Sequence, residues 1–319
     1  MSAEPTTLTH TLISKLKSPP TAMTIQNSEI TIAQKSGEIV TVSPETKERK
    51  VLVKDKNTTT AICAVDGILL VGARTGEIKS LCDKKYKRIS KRHRGQIISI
   101  HAIKTENNET EIITASADHR VFLWKLDINE SKGAKTVHLL FMKALYGPNT
   151  PIKSTSMSPD KKLLLCTAEL TETVRIFKLE KDTQLLFNLK DGHALYGAFI
   201  TNEQFIVMSN RSTLHLYNIN KTDPVKSLHI PTEAEASAEV SSFKLISPAT
   251  VAIGFSNGQI IIVSIAETAE ILSHCQIDGI PNDFMQKEST LYVAAGKEES
   301  HSRFFVNKSF LNGFVAIPM

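Results

Sequence analysis

The stretch "IITASADHRVFLWKLD", residues 112–127, contains the only tryptophan of the chain. Apolar and polar residues alternate through Ile113 and Ala115, break at Ala117-Asp118-His119-Arg120, and resume at Val121, Leu123 and Trp124-Lys125. A period of two, interrupted by a short polar segment, is the pattern of a β-hairpin with one face buried.

Similar hairpins recur along the chain. "ITIAQKSGEIVTV" turns at Ser36-Gly37, "LLVGARTGEIKSL" at Thr75-Gly76 and "LLLCTAELTETVRIFKL" near Leu170-Thr171. "FIVMSNRSTLHLYNI" turns at Arg211-Ser212, "VAIGFSNGQIIIVSI" at Asn257-Gly258 and "LYVAAGKEESHSRFFV" near Glu299-Ser300. With the opening stretch these are seven hairpins at intervals of roughly 40–50 residues, the spacing of β-propeller blades. Each is flanked by further strand-like runs, such as "QIISIHAI" before the opening hairpin and "TVHLLFMKAL" after it. The pattern predicts an all-β, seven-bladed propeller of four-stranded antiparallel blades. The opening hairpin forms strands b and c of its blade, and residues 1–319 form one domain. The runs "TLTHTLISKL" and "NGFVAIPM" are expected in the same or adjacent blades.

The opening unit resembles a WD repeat. In such blades a His before the first strand, a Ser at the end of strand b, an Asp in the b–c turn and a Trp form a buried hydrogen-bond relay. Here the resemblance implies His93, Ser116, Asp118 and Trp124. Buried polar groups need partners, so such a relay both stabilises and specifies. Nucleophilic catalysis by Ser, His and Asp fits poorly, because no strand-to-helix elbow accompanies these residues. Elsewhere the relay is degenerate: Gly192-His193 is followed by Asn210-Arg211 and Tyr217.

Composition narrows the function. The chain is 41% hydrophobic and 22% charged, with a net charge of +5. Cys63, Cys82, Cys166 and Cys275 are dispersed without metal or redox spacing, which predicts reduced thiols. No charged segment followed by an apolar core opens the sequence, and no apolar run is long enough to cross a membrane, so a soluble intracellular chain is expected. "GARTGEIKS" lacks the spacing of a phosphate-binding loop, and the ten histidines show no metal-ligand pattern. No catalytic residue, metal, cofactor or small-molecule substrate is predicted.

The strongest local anomaly is "KKYKRISKRHR", residues 84–94. It holds Lys84, Lys85, Lys87, Arg88, Lys91, Arg92 and Arg94 and no acidic residue. A run of one sign on an outer strand is either a solvated edge, a nuclear localisation signal or a contact for nucleic acid or another acidic partner, with Tyr86 or His93 available to stack on a base. The nucleic-acid reading places RNA on these residues and favours the end at Arg92, His93 and Arg94.

The last 40 or so residues resemble the C-terminal blade of the U3 small nucleolar RNA-associated WD-repeat family, the 55-kDa U3 protein family. The matching positions are Gly279, Asn282, Gly296, Glu298, Arg303, Phe304, Phe305, Lys308, Asn312, Ile317, Pro318 and Met319. Phe304 and Phe305 replace two tryptophans of the family pattern, and Lys297 and Glu299 replace its Gln and His. "VRIFKLEKDTQLLF", residues 174–187, is similar to a second family segment, with Phe177 at a Trp position. The first hairpin begins by residue 30, so the family's charged N-terminal extension is not expected. The resemblance implies a non-catalytic scaffold that binds U3 small nucleolar RNA beside a kink-turn-binding protein. Its other implied partners are box C/D particle and small-subunit processome proteins, and its implied place is the nucleolus of the nucleus. The alternative is a generic protein-interaction propeller, such as the non-catalytic subunit of a tRNA-modifying or trafficking complex.

Overall fold

A computed structural model describes residues 5–26, 28–131, 134–231, 238–266, 269–300 and 306–319. No helix occurs among them. Seven antiparallel sheets follow one another as the blades of a β-propeller. Blade 1 holds Pro20–Gln26, Glu29–Gln34, Glu38–Val42 and Arg49–Lys54, and blade 2 holds Thr59–Val65, Ile68–Ala73, Ile78–Cys82 and Lys85–Ser90. Blade 3 holds Ile97–Lys104, Thr110–Ser116, Val121–Ser131 and Ala134–Leu145, and blade 4 holds Ile152–Met157, Leu163–Ala168, Thr173–Lys178 and Thr183–Asn188. Blade 5 is built from Ala194–Phe199, Gln204–Ser209, Thr213–Asn218 and Lys226–His229, and blade 6 from Val240–Ser247, Thr250–Phe255, Gln259–Ser264 and Glu270–Gln276. In each, strands a to d pair in chain order.

Blade 7 is assembled from both ends of the chain. Its strands Ile280–Lys287, Thr290–Gly296 and Gly313–Pro318 are completed by Thr11–Lys15, which pairs antiparallel with Gly313–Pro318 and occupies the outer edge. The hairpin expected to turn at Glu299-Ser300 is therefore corrected. The partner of Thr290–Gly296 is Gly313–Pro318, with residues 297–312 between them. The sequence "NGFVAIPM" carries a continuous apolar run suited to a strand buried on both faces, and Phe314, Val315 and Ile317 are buried there. Arg303, Phe304 and Phe305 lie outside the described residues.

The packing divides the chain into two compact units, residues 1–21 with 156–319 and residues 22–155. In each, the middle strands are apolar on both faces. Every residue of Ile68–Ala73 and of Glu38–Val42 is buried. The reason is that, within each unit, one blade packs on the next. In the second unit one cluster joins Ile68, Leu70 and Ile78 of blade 2 to Ile97, Ile112, Phe122 and Trp124 of blade 3. In the first unit, Ala252, Ile260 and Ile262 of blade 6 meet Phe284, Leu291 and Val293 of blade 7.

The b–c turns of blades 1–6 share one geometry. A residue with positive φ sits in each: Gly37, Gly76, His119, Leu170, Ser212 and Gly258. All three glycines in these turns are pressed against backbone. A β-carbon on Gly76 would overlap the carbonyl of His93 and approach the Gly95 oxygen to 2.9 Å, and one on Gly258 would overlap the carbonyl of Ile277. The turn is thus docked on the linker that leads to the next blade, as the Asp55 N–H to Gly37 carbonyl and Ile277 N–H to Gly258 carbonyl bonds also show, each 3.0 Å.

Gly67 also has positive φ but open space around it. Gly76→Ala is therefore expected to cost about 2–4 kcal/mol from strain plus backbone displacement, and Gly67→Ala about 1 kcal/mol from strain alone. Urea unfolding of the two variants checks the difference; equal midpoints would mean that the docked turn gives way freely.

Candidate nucleic-acid interface

The opening stretch builds its relay two residues away from the expected position, on the same face of the same strand. The buried Trp124 donates its indole N–H to the Thr114 hydroxyl at 2.9 Å, and that hydroxyl donates to His93 Nε2 at 2.8 Å. His93 Nδ1–H then donates to the Asp118 carboxylate at 3.0 Å. Thr114, not Ser116, is the link between histidine and tryptophan. In the strand Thr110–Ser116, Thr114 is set directly across from Phe122, two residues before Trp124, so it reaches the indole nitrogen. Ser116 instead accepts the Asp118 N–H at 3.1 Å and shapes the turn.

Asp118 also accepts the backbone N–H groups of Arg94, at 2.8 Å, and Arg120, at 3.2 Å. Burial pushes its pKa up, but the bonds from His93 and Arg94 outweigh burial and hold it below the ordinary 3.8. Asp, His and a hydroxyl in series are also the groups of a nucleophile relay. Thr114 and Ser116 are both fully buried, and Thr114 already holds the indole, so neither hydroxyl can meet a substrate. Among the described residues no group of three or more His, Cys, Asp or Glu could hold a metal ion.

Two other blades carry a relay of reversed polarity, which the sequence reading missed. In blade 2 the acid stands before strand a: Asp55 pairs with Lys79 of strand c and accepts the Tyr86 hydroxyl of strand d at 2.7 Å. Burial opposes ionisation of Asp55, and the bonds from Lys79 and Tyr86 overcome it, lowering its pKa. In blade 5, Asp191 before strand a binds His215 Nε2 of strand c at 2.8 Å, and His215 Nδ1 meets Ser227 of strand d at 2.7 Å. The only sequence signal was an Asp two to four residues before an alternating strand, which is too common to single out.

These contacts redraw the basic run. Neither predicted stacking residue is available. Tyr86 is tied to Asp55, and His93 is buried, held at both nitrogens and stacked on Phe122 with centroids 4.2 Å apart. Charge within the run is also partly matched by Glu77, the residue before strand c, which lies 3.1 Å from Arg88 and 3.8 Å from Lys91. Lys84, at positive φ, and Lys85 flank the c–d turn, and Lys87 projects from strand d; all three are exposed. At the other end Arg92 lies over the Phe141 ring at 3.6 Å, a cation–π contact, and Arg94 is exposed. Among the described residues no carboxylate pairs with Lys84, Lys85, Lys87, Arg92 or Arg94.

The run and its surroundings thus offer two cationic ends rather than one stripe. The end at Arg92 and Arg94 adjoins the b–c turn of blade 3, because Asp118 holds the Arg94 N–H. The pairing of Val121 with Leu145 brings Tyr146, 66% exposed, to that same end of the blade. Tyr146 is an aromatic that can stack on a base, and it was not singled out in the sequence because it follows the strand in "YGPNTP". The C-terminal motif residues have structural work. Asn282 donates to the carbonyls of Pro20 and Glu298 at 2.9 and 2.8 Å and accepts the Ser300 N–H at 2.9 Å. Asn312 accepts the Lys297 N–H at 2.9 Å, and Gly296 leaves no room for a side chain beside Asn282. Lys308 is exposed.

Thr114→Val would leave the Trp124 N–H and His93 Nε2 without partners, and a loss of about 1–3 kcal/mol is expected for each buried group so stranded. Ser116→Ala should cost about 1 kcal/mol, and chemical unfolding of both variants ranks them. Because the folded pKa of Asp118 is lowered, its contribution is present above pH 3.8 and disappears as pH falls through the folded value. Asp118→Asn should therefore be less stable at neutral pH and show a shallower loss of stability below about pH 4, measured by unfolding midpoints across pH.

No protein-family model matches the chain, and no curated protein does. Solved structures do. The structure of U3-55K is 16% identical and superposes with a TM-score of 0.80 over 97% of this chain and 98% of that one. The crystal structure of the RRP9 WD40 repeats gives 16% identity and a TM-score of 0.80 over 98% of each chain. The WD40 β-propeller domain of Doa1 gives 14% and 0.72, over 97% and 96%. At such identities the likeness is one of fold: the chain is a seven-bladed β-propeller similar in fold to the WD40 propellers of U3-55K and RRP9.

Proposed function

We propose that the protein is a non-catalytic scaffold of a U3-type small nucleolar ribonucleoprotein. In this reading residues 1–319 act as one propeller domain in the nucleolus. The domain binds U3 RNA beside a kink-turn-binding protein and other box C/D particle proteins, and serves small-subunit pre-rRNA processing. The observation that carries the reading is the fold likeness to U3-55K over nearly the full length of both chains. It converges with the resemblance of Gly279, Asn282, Gly296, Glu298 and Asn312 to the same family, a resemblance found in the sequence alone. RNA contact is assigned to the end of blade 3 where Arg92, Arg94 and Tyr146 gather. Lys84, Lys85 and Lys87 supply a second, weaker phosphate contact, and Arg88 and Lys91 contribute less because Glu77 faces them.

Sequencing RNA that co-purifies with the protein tests the reading directly: U3-like RNA is expected, and tRNA instead would favour a tRNA-modifying partner. In filter binding to U3-like RNA, Arg92→Glu with Arg94→Glu should weaken affinity about tenfold or more and flatten its salt dependence, since fewer counterions are released. Lys84→Glu with Lys85→Glu should do less. Equal effects would replace a localised contact with a diffuse electrostatic face.

A further inference from the structure

Strand d of blade 3, Ala134–Leu145, differs from every other outer strand. It is 12 residues long, whereas the outer strands of blades 1, 2, 4, 5 and 6 have 4 to 7. It ends its sheet, so one row of its backbone N–H and C=O groups has no strand partner. It also displays three consecutive large apolar side chains, Leu140 at 49%, Phe141 at 38% and Met142 at 48% exposure. The outer strands of blades 1, 4, 6 and 7 expose one such residue each, namely Val51, Leu186, Leu272 and Leu12. Open edges are normally protected by charge or by short length. Here the middle of a long edge is apolar.

The two sides of this edge differ in chemistry. Phe141 pairs with Trp124 and shares its side of the sheet, with centroids 5.7 Å apart and Arg92 lying over its ring. Leu140 pairs with Lys125 and points to the opposite side, and a bulge follows at Met142. One side is therefore cationic around Phe141, with Lys91 and Arg94 in the same loop as Arg92. The other side presents the exposed Leu140, beside which Lys125 is paired with Glu109. The protein also shows that a blade edge of this kind accepts another strand. On blade 6, Thr6–Thr7 adds in parallel to the edge strand Glu270–Gln276, secured by the Leu8 N–H to the His274 carbonyl at 2.8 Å and by Thr7 to His274 at 2.9 Å.

We infer that the outer edge of Ala134–Leu145 docks an extended segment of a protein partner in which acidic and apolar residues alternate. Main-chain hydrogen bonds would extend the sheet of blade 3 by one strand, a recurring mode of peptide recognition. Alternation then sends every second side chain toward Arg92 and the others onto Leu140, next to the exposed Met142 of the bulge, so a period of two in acid and apolar character fits this edge. RNA fits it less well. Arg92 already covers the Phe141 ring, Leu140 and Met142 offer no plane for a base, and a free β-strand edge matches a peptide backbone. The inference goes beyond the U3 reading and stands without it.

The test uses the full chain and three fluorescent ten-residue peptides: alternating Glu and Leu, the same composition arranged in two blocks, and alternating Lys and Leu. The alternating acidic peptide should bind about tenfold or more tightly than either of the others, by anisotropy. It should also protect backbone amides within residues 138–143 from hydrogen exchange. Leu140→Asp with Met142→Asp should weaken its binding about tenfold while leaving thermal unfolding and U3-like RNA binding as in the parent, since both side chains are exposed. Equal binding of the three peptides, no binding, or unchanged binding by the double variant overturns the inference. So does a double variant that loses RNA while keeping peptide, because that assigns the edge to nucleic acid. Failure of U3-like RNA to bind the parent protein touches only the proposed function.

Discussion

Everything in this molecule follows from sheets whose middle strands are apolar on both faces. Such a sheet cannot present either face to water, and a single blade would leave both uncovered. Repetition satisfies it within each compact unit, because each blade covers the next: blade 2 against blade 3 through Ile68, Leu70 and Trp124, and blade 6 against blade 7 through Ile260 and Phe284. The requirement places few demands on individual side chains beyond volume. That explains how a chain 16% identical to U3-55K keeps its fold along nearly its whole length.

What volume alone leaves unspecified is the angle and register at which one blade follows another, and polar contacts set those. The solution varies from blade to blade. Blade 3 places the imidazole in the linker and the carboxylate in the turn; blades 2 and 5 place the carboxylate in the linker and the cation or imidazole on strand c. Each arrangement joins a linker to a strand through a buried, partnered charge or imidazole, where the loss of one partner would strand the other. The chemistry is interchangeable because the constraint is positional.

This freedom explains which features could be read from the sequence. Hairpin spacing was legible because the turn of each of the first six blades needs a left-handed residue between two alternating runs. The relay at Trp124 was legible in outline, yet Ser116 and Thr114 lie two apart on one strand and face the same side, so sequence could not choose between them. Thr114 holds the link because its position across the hairpin reaches the indole. The reversed relays carry no distinctive residue type and stayed hidden. The basic run looked unpaired because Glu77 and Asp55, which face it, belong to neighbouring segments rather than to the run itself. The last strand was misplaced because residues 297–312 intervene where other blades use a tight turn.

The pairing of Thr11–Lys15 with Gly313–Pro318 bears on how the chain is made. During synthesis the strand Thr11–Lys15 leaves the ribosome early and has no partner until every intervening blade has been translated. The contact has the greatest sequence separation of any strand pairing among the described residues, and loop-closure entropy makes such contacts form late. Blades 2 and 3 can organise as they emerge, since all their strands are contiguous in the chain. Blade 7 instead closes only after the intervening blades have been made. Until then, the open edge of Gly313–Pro318 and its orphaned partner give nascent chains a means of exchanging strands, which makes the waiting segment a natural client for a folding chaperone.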